Sequence, residues 1–205
     1  MSWSYAEDYL QESETIATAR ARGDALGSTP VSPGVGAALR MLAASSGARS
    51  VLEIGTGTGV SALWTLAGMP EDGVLTTIDA EAKLHTVAKE ILSGAGVSLT
   101  RVRMITGRAL QVLTRLSRGA YDMAVVDGDP GETQAYIDLV LPALRPGGLL
   151  VVVHALWHDS VADPARREGD TVAMREVLRG IRESDDWTEN LLPVGDGVLV
   201  AIKNR

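Results

Sequence analysis

The stretch VLEIGTGTGVSALW, residues 51–64, is the strongest structural signal in the chain. An apolar run ends at Gly55, glycine then alternates with threonine up to Gly59, and an apolar helical pattern follows. Glycines at such a place allow a tight turn and let a ligand approach the backbone closely. The stretch therefore predicts a buried strand, a ligand-binding turn and a helix, which together form the first unit of an α/β fold.

The chain after this unit continues to alternate strands and helices. Strand-like runs occupy 50–54, 73–79, 101–106, 121–127 and 148–154, and helical patterns fall near 59–69, 81–94, 107–117, 131–144 and 169–184. Alternation of this kind builds right-handed βαβ units on a parallel sheet. The last stretch, WTENLLPVGDGVLVAIK (187–203), has two strand-like runs around a Gly-Asp-Gly turn and predicts an antiparallel hairpin.

The residues before the first strand predict helices. Helical patterns cover 4–22 and 33–46, and the turn-rich GSTPVSP (27–33) separates them. We expect a single domain over residues 1–205, made of a helical N-terminal extension (1–48) and an α/β core (49–205).

Composition narrows the classes of partner. The chain of 205 residues carries a formal net charge of −7 and no cysteine, which excludes disulfides and thiolate nucleophiles. Arg166 and Arg167 are followed by acidic residues, so no basic cluster predicts a nucleic acid partner. No apolar run is long enough to cross a membrane, and the acidic N-terminus does not resemble a signal peptide. We expect a cytoplasmic protein with a small-molecule partner.

The glycine turn and two acids near it indicate the kind of ligand. A dinucleotide fingerprint, G-x-G-x-x-G, would place its third glycine where Val60 stands. Glu53, just before the turn, is unfavourable beside a pyrophosphate but favourable beside a cationic amino group. Asp79 ends the next strand, at the spacing where a carboxylate binds ribose hydroxyls. An NAD-dependent oxidoreductase is therefore the less favoured alternative.

The pattern E-x-G-x-G-x-G at residues 53–59 resembles the first motif of S-adenosylmethionine-dependent methyltransferases. TPVSPGVGAALRMLAA, VVDGD, LRPGG, ALWHDSVADP and LLPVGDGVLVAIK extend the similarity, in order, to the small-molecule O-methyltransferase family of caffeoyl-CoA and catechol-type enzymes. The resemblance implies a Rossmann-like class I methyltransferase fold, with a mostly parallel seven-stranded sheet, a C-terminal antiparallel hairpin and helices on both faces. It also implies methylation of a small hydroxyl-bearing acceptor, such as an aromatic one, and a homodimer.

The resemblance further implies which residues contact S-adenosylmethionine. They are Val31, Glu53, Gly55, Thr56, Gly57 and Ser61 at the methionine end and the loop, Asp79 and Ala80 at the ribose, Arg108 and Ala109 at the adenine, and Asp127 and Asp129 near the reacting methyl group. The residues themselves also favour the last two, because paired carboxylates after a buried strand are poor core residues. For Asp129 the alternative is a helix N-cap, and one residue can do both.

The pattern departs from the metal-dependent members of the family. Those members bind a divalent cation such as Mg²⁺ through the residue matching Asp127 and an Asp-Asn pair that here reads His154-Ala155. They also commonly carry a lysine where this chain has Pro130. Mg²⁺ prefers oxygen ligands to imidazole, and two ligands are too few for zinc. We therefore expect no metal site.

His154 is the candidate that replaces the metal. An imidazole with an ordinary pKa of about 6.5 suits a general base, and Asp127 or Asp129 would orient it. The alternative is that His154 only ends a strand, in which case the chain binds S-adenosylmethionine without transferring a methyl group. Trp157 and His158 are either acceptor contacts or loop residues. We expect His85 on a solvated helix face.

Overall fold

The structure is a computed structural model and describes residues 2–204. A seven-stranded sheet in the order β3-β2-β1-β4-β5-β7-β6 forms its centre. The strands are β1 (Ser50–Ile54), β2 (Val74–Asp79), β3 (Val102–Thr106), β4 (Tyr121–Val126), β5 (Leu144–Val152), β6 (Trp187–Leu192) and β7 (Val198–Lys203). The first five are parallel, and β7 inserts antiparallel between β5 and β6. The predicted parallel sheet with a C-terminal hairpin is confirmed.

Helices cover both faces of the sheet. They are α1 (Ser2–Glu7), α2 (Glu14–Ala25), α3 (Pro33–Ser46), α4 (Val60–Gly68), α5 (Ala82–Gly94), α6 (Ala109–Leu113), α7 (Thr133–Ala143) and α8 (Gly169–Glu183). Side chains alternate along each buried strand, so Val51 and Leu52 belong to different cores. Helices α2 to α5 pack on one face, and α6 to α8 pack on the other.

The predicted helix over 33–46 is confirmed residue for residue. The Ser32 hydroxyl accepts a hydrogen bond from the Val35 N–H at the start, and Gly47 ends the helix in the left-handed conformation. Gly36 lets α3 pack closely on α4, because a Cβ there would lie 2.3 Å from the Trp64 ring. Trp64 and Trp187 are both core residues.

Three predicted elements have clearly different bounds, and one of them, the helix expected near 107–117, is confined to Ala109–Leu113. The helix expected over 4–22 is two helices, because the Ser13 side chain caps a new helix by accepting from the Ile16 N–H. The strand expected over 148–154 begins at Leu144 and ends at Val152. His154 cannot continue it, since its φ of 54° is left-handed. Within residues 2–204, no helix combines the length and apolar character that crossing a membrane requires.

Candidate functional site

The site lies at the edge of the sheet where the parallel strands end. Strands β1, β2 and β4 end there at Ile54, Asp79 and Val126. Because β7 runs in the opposite direction, its first residue is at this same edge, paired near the end of β5. The turn before β7, which contains Asp196, is thereby brought to the carboxyl ends of the parallel strands.

The glycine turn (residues 55–59) brings backbone, and not side chains, to this edge. Gly55 has a φ of 92°, and a Cβ there would lie 1.9 Å from the carbonyl oxygen of Asp127. The N–H of Gly57 donates to Asp79 Oδ2 at 2.9 Å, and Asp79 Oδ1 accepts from the Glu81 N–H at 2.8 Å. These bonds fix the Asp79 carboxylate and leave it lone pairs for a ligand's hydroxyl groups.

A small cavity of about 120 Å³, the inner cavity, lies above this turn. The structure brings together around it five residues predicted for the methionine end and the loop, with the predicted ribose carboxylate Asp79 and with Asp127, predicted near the reacting methyl group. The five are Val31, Gly55, Thr56, Gly57 and Ser61. Ser28 and Thr29 also line it. Sequence reasoning missed those two, because Val31 was the one cofactor contact predicted in GSTPVSP and the rest of the segment was interpreted as a turn between helices.

Glu53 lies behind the wall of the inner cavity and is fully buried. Its Oε1 accepts from the Ser61 hydroxyl at 2.7 Å, and its Oε2 accepts from the Thr77 hydroxyl at 2.6 Å. Burial raises the pKa of Glu53 to about 7, while the two hydroxyl donors partly oppose the rise. The carboxylate thus reaches the cavity through Ser61, and its direct contact with a ligand stays a prediction.

The prediction for His85 is wrong: the residue is buried, with 6% of its surface exposed. Its Nε2 lies 2.8 Å from the Thr56 hydroxyl, and its Nδ1 lies 2.8 Å from the Thr106 hydroxyl. Burial lowers the pKa of His85, so the ring favours the neutral form. In the sequence, His85 stands three residues before Ala88 and seven before Leu92, and it therefore lies on the apolar stripe of α5. This spacing is the signal from which its burial could have been predicted.

His85 belongs to a chain of hydrogen bonds that ends at Glu53. Thr56 Oγ1 lies 2.6 Å from Thr77 Oγ1, which in turn donates to Glu53. Since the Thr77 proton goes to Glu53, Thr77 accepts from Thr56, and Thr56 accepts from His85. The chain holds the side chain of Thr56 beneath the glycine turn and connects the turn to β2 and α5.

A second cavity of about 450 Å³, the rim cavity, lies on the other side of Asp79. Ala80, Arg108 and Ala109, which were predicted at the ribose and adenine end, lie together on its walls. Asp129, which was predicted near the reacting methyl group, lines this cavity and not the inner or the linking cavity. The Asp129 Oδ1 accepts from the Gly131 N–H at 2.8 Å and caps a short 3₁₀ turn, so the capping alternative is confirmed. Glu132, which sequence reasoning missed, bonds to Arg108 at 2.7 Å and to the Tyr136 hydroxyl at 2.6 Å.

His154 stands between two carboxylates. Its Nε2 lies 3.8 Å from Asp127 Oδ1, and its Nδ1 lies 3.3 Å from Asp196 Oδ2. A carboxylate accepts but does not donate, so in the neutral ring Nδ1 carries the proton and Nε2 keeps its lone pair. Nε2 is buried and has no hydrogen-bond partner among the described residues. Burial raises the pKa of Asp127 to about 6, against the opposing effect of His154.

The carboxylate that orients His154 is therefore Asp196, and not Asp127 or Asp129 as predicted. Sequence reasoning missed Asp196 because the Gly-Asp-Gly segment was interpreted only as a hairpin turn. The structure also shows how the turn holds the neighbouring loop. Asp196 Oδ1 accepts from the His158 N–H at 2.7 Å, and its carbonyl oxygen accepts from the Leu156 N–H at 2.9 Å.

The loop after β5 is strained. His154, Trp157, His158 and Asp159 all have positive φ angles, from 46° to 59°, although none is glycine. Each such residue costs of the order of 1 kcal/mol, so the contacts with the hairpin turn must hold them. Trp157 and His158 line a cavity of about 220 Å³, the linking cavity, together with Asp127 and His154. Their predicted contact with an acceptor stays a prediction.

A larger cavity opens on the far side of His154. The acceptor-side cavity has a volume of about 880 Å³, and its apolar walls come from both ends of the chain: Trp3, Pro30, Val31, Pro33, Val35, Val153, Leu156 and Pro193. Val31 also lines the inner cavity, and His154 also lines the linking cavity. His154 thus lies where the cavities meet.

The donor set at this position does not fit Mg²⁺. Ala155 has no ligand atom, is fully buried, and uses its N–H in a bond to the Gly197 carbonyl. His154 offers a nitrogen, whereas Mg²⁺ requires an octahedron of oxygen ligands. Among residues 2–204, no cluster of three or more metal-binding side chains is present.

Comparison with known proteins finds that the chain is similar to O-methyltransferases. The family model described as O-methyltransferase matches residues 2–204. A Mycobacterium tuberculosis protein named "Probable O-methyltransferase Rv1220c" is 43% identical over 202 residues, which are 98% of this chain and 90% of that protein. A Mycobacterium ulcerans protein that also carries an O-methyltransferase name is 45% identical over 201 residues, again 98% and 90% of the two chains.

Solved structures share the fold over almost the whole chain. A Corynebacterium glutamicum protein has a TM-score of 0.91 and 31% identity, covering 98% of this chain and 95% of that one. The O-methyltransferase TomG from Streptomyces achromogenes, solved in complex with SAM, has a TM-score of 0.88 and 28% identity with the same coverage.

Proposed function

This chain belongs to the O-methyltransferase family, and we propose that it transfers the methyl group of S-adenosylmethionine to a hydroxyl oxygen of a small acceptor, with His154 as general base. Methyl transfer requires that the acceptor oxygen lie in line with the methyl group and lose its proton. S-adenosylmethionine supplies, when bound, an electrophilic methyl group on its sulfonium.

The unpartnered Nε2 of His154 is the observation that carries the proposal. It is a buried proton acceptor without a partner among the described residues, at the junction of the cavities. A buried polar atom without a partner is costly, and such an atom marks a place where a ligand group binds. His154 takes the acceptor's proton at Nε2, and Asp127 and Asp196 then stabilise the positive ring on both sides.

The residues around the inner and rim cavities fit S-adenosylmethionine. The open backbone at Gly55, where a Cβ would collide with Asp127, lets a ligand approach closely. Glu53, Ser61 and Val31 would hold the methionine end, Gly57 and Thr56 the loop side, and Asp79 the ribose. Ala80, Arg108, Ala109 and Asp129 would surround the adenine side. The donors around Asp127 do not fit Mg²⁺, so the residues named here act without a metal ion.

The central test separates binding from transfer. Alanine at Asp79 is expected to abolish S-adenosylmethionine binding in calorimetry, and alanine at His154 is expected to leave binding intact and to slow turnover with a panel of hydroxyl compounds. Normal cofactor affinity in the Asp79 variant would contradict the cofactor site. A wild-type protein that binds the cofactor but methylates no member of the panel would favour a binding protein without transferase activity.

We also propose that the protein acts in the cytoplasm as a homodimer, with no nucleic acid or membrane partner. The large apolar side chains of Trp3, Tyr5, Tyr9 and Leu10 are exposed on the first ten residues and supply a surface for a second copy. Light scattering on the purified protein tests the dimer, and a monomeric mass at micromolar concentration would contradict it.

A further inference from the structure

The acceptor-side cavity indicates which hydroxyl compounds fit the site. We propose that the acceptor is a bulky, largely apolar compound without anionic groups, and not a coenzyme A thioester or another phosphate-bearing molecule. This inference rests on the proposed function, because it assigns the cavity beyond His154 to the acceptor. The size of the cavity, the side chains on its walls and the charges among them support it.

The size of the cavity exceeds what a single small ring requires. Its volume of about 880 Å³ lies near the upper end of the range of roughly 300–1,000 Å³ that is usual for ligand sites. Val153 and His154 line it just after the end of β5, and the exposed residues Trp3 and Pro193 line it from opposite ends of the chain. An acceptor that fills this space carries an apolar extension beyond the ring that bears its hydroxyl group.

The walls hold few groups that could bind a charged extension. Pro30, Val31, Pro33, Val35 and Leu156 present carbon atoms, and burial of an apolar ligand against them is favourable in proportion to the area buried. A phosphate placed against these side chains would lose water without gaining hydrogen bonds from them, which is costly. The two histidines that line the cavity, His154 and His158, both lie beside the Asp196 carboxylate.

The charges on the walls oppose an anion. Among the residues of 2–204 that line the cavity, Arg20 is the one lysine or arginine. Its Nε and one terminal nitrogen bind the Glu12 carboxylate at 2.9 and 2.6 Å, and its other N–H groups donate to the carbonyls of Pro30 and Val31. Arg20 is therefore neutralised by Glu12 and holds the loop in place. Asp159 and Asp196 add negative charge to the same cavity.

A matched series of acceptors tests the charge and the size separately. Caffeic acid, its methyl ester, its phenethyl ester and caffeoyl-coenzyme A share the same dihydroxyphenyl ring and differ only in the attached group. Binding is measured by calorimetry on protein saturated with S-adenosylhomocysteine, and turnover is measured with S-adenosylmethionine. We expect the phenethyl ester to bind about tenfold more tightly than the methyl ester, the acid to bind more weakly than either, and the thioester to bind least.

Tighter binding of the acid or the thioester than of the methyl ester would overturn the inference. Failure of all four compounds to bind would overturn it as well, because an apolar acceptor of this size would then not fit. Failure of S-adenosylhomocysteine itself to bind would instead refute the proposed function, so the two failures are distinguishable.

A pair of variants on the exposed rim tests the charge argument within one cavity. Pro193→Lys adds a cation to the wall, and Pro193→Gln adds a side chain of similar length without charge. The lysine variant is expected to bind caffeic acid about two- to fivefold more tightly than the glutamine variant, as for an exposed ion pair. The two variants are expected to bind the phenethyl ester equally. Equal binding of the acid by both variants would contradict the charge argument.

Discussion

Replacing Glu53 by glutamine is expected to stabilise the protein at alkaline pH while weakening its cofactor site. Glu53 is fully buried and, among the described residues, bonds to the hydroxyls of Ser61 and Thr77 and to no cation. Its pKa rises from 4.5 to about 7. At about 1.4 kcal/mol for each pKa unit, ionising Glu53 costs the folded protein about 3 kcal/mol.

The sign of the pH dependence follows from the direction of this shift. The pKa of Glu53 is higher in the folded than in the unfolded protein, so its contribution to the free energy of unfolding is complete below pH 4.5. That contribution is lost as the pH rises through about 7. Asp127, with its pKa raised from 3.8 to about 6, adds a loss of the same sign over a lower range. Glutamine at 53 removes the first contribution and keeps the second.

Urea unfolding, followed by the fluorescence of the buried Trp64 and Trp187, measures the effect. At pH 8 we expect the glutamine variant to be about 2 kcal/mol more stable than the wild type, after about 1 kcal/mol for rearranged hydrogen bonds. At pH 5 the difference should vanish or reverse. Glu71→Gln, at an exposed glutamate, is the control for net charge. An equal loss of stability between pH 5 and pH 8 in the wild type and the Glu53 variant would refute the reasoning.

Four further predictions concern the site. His154→Ala should lower kcat by about a hundredfold or more and leave the calorimetric Kd for S-adenosylmethionine within about twofold; an equal loss of both would indicate a structural role. Asp196→Asn should reduce kcat less, by about tenfold, and leave the calorimetric Kd for S-adenosylmethionine within about twofold, which an equal loss of both would contradict. EDTA should not reduce activity, since the donors around Asp127 do not fit Mg²⁺; strict dependence on an added divalent ion would disprove this. Gly55→Ala should lower the melting temperature by many degrees or prevent folding, because its Cβ would lie 1.9 Å from a carbonyl oxygen; a wild-type melting temperature would show that the turn can move.

Much of the fold was predictable from the sequence because its signals are local. The alternation of strand and helix, the turn-rich GSTPVSP before the helix over 33–46 and the Gly-Asp-Gly turn act within a few residues and predict each element. The hydrogen-bond partners of His85 were not predictable in this way, because Thr56 and Thr106 lie 29 and 21 residues away along the chain. Its burial, in contrast, had a local signal in the apolar stripe of α5 that was overlooked.

Part of the candidate site was likewise predictable from local sequence, and part was not. The glycine turn and Asp79 follow directly from strand ends, and the structure brings them together as expected. The partner of His154 did not follow, because Asp196 is 42 residues away and its role depends on the reversed direction of β7. The walls of the acceptor-side cavity also escaped prediction, since they combine α1 with the hairpin turn, from opposite ends of the chain.

Because β7 is inserted antiparallel, the cofactor residues and the walls of the acceptor-side cavity come largely from different parts of the chain. Most of the residues proposed for the cofactor lie on the turns after β1, β2, β3 and β4, whereas the acceptor-side cavity is built from residues before β1 and after β5, and Val31 lines both. Glu7 joins the two chain ends by accepting from the Ser32 hydroxyl and the Gly195 N–H. Substitutions in the hairpin turn or in α1 can therefore reshape the acceptor wall and leave the glycine turn untouched. A fold organised in this way can acquire new acceptors through changes at its ends, while the machinery for the shared methyl donor stays constant in the middle.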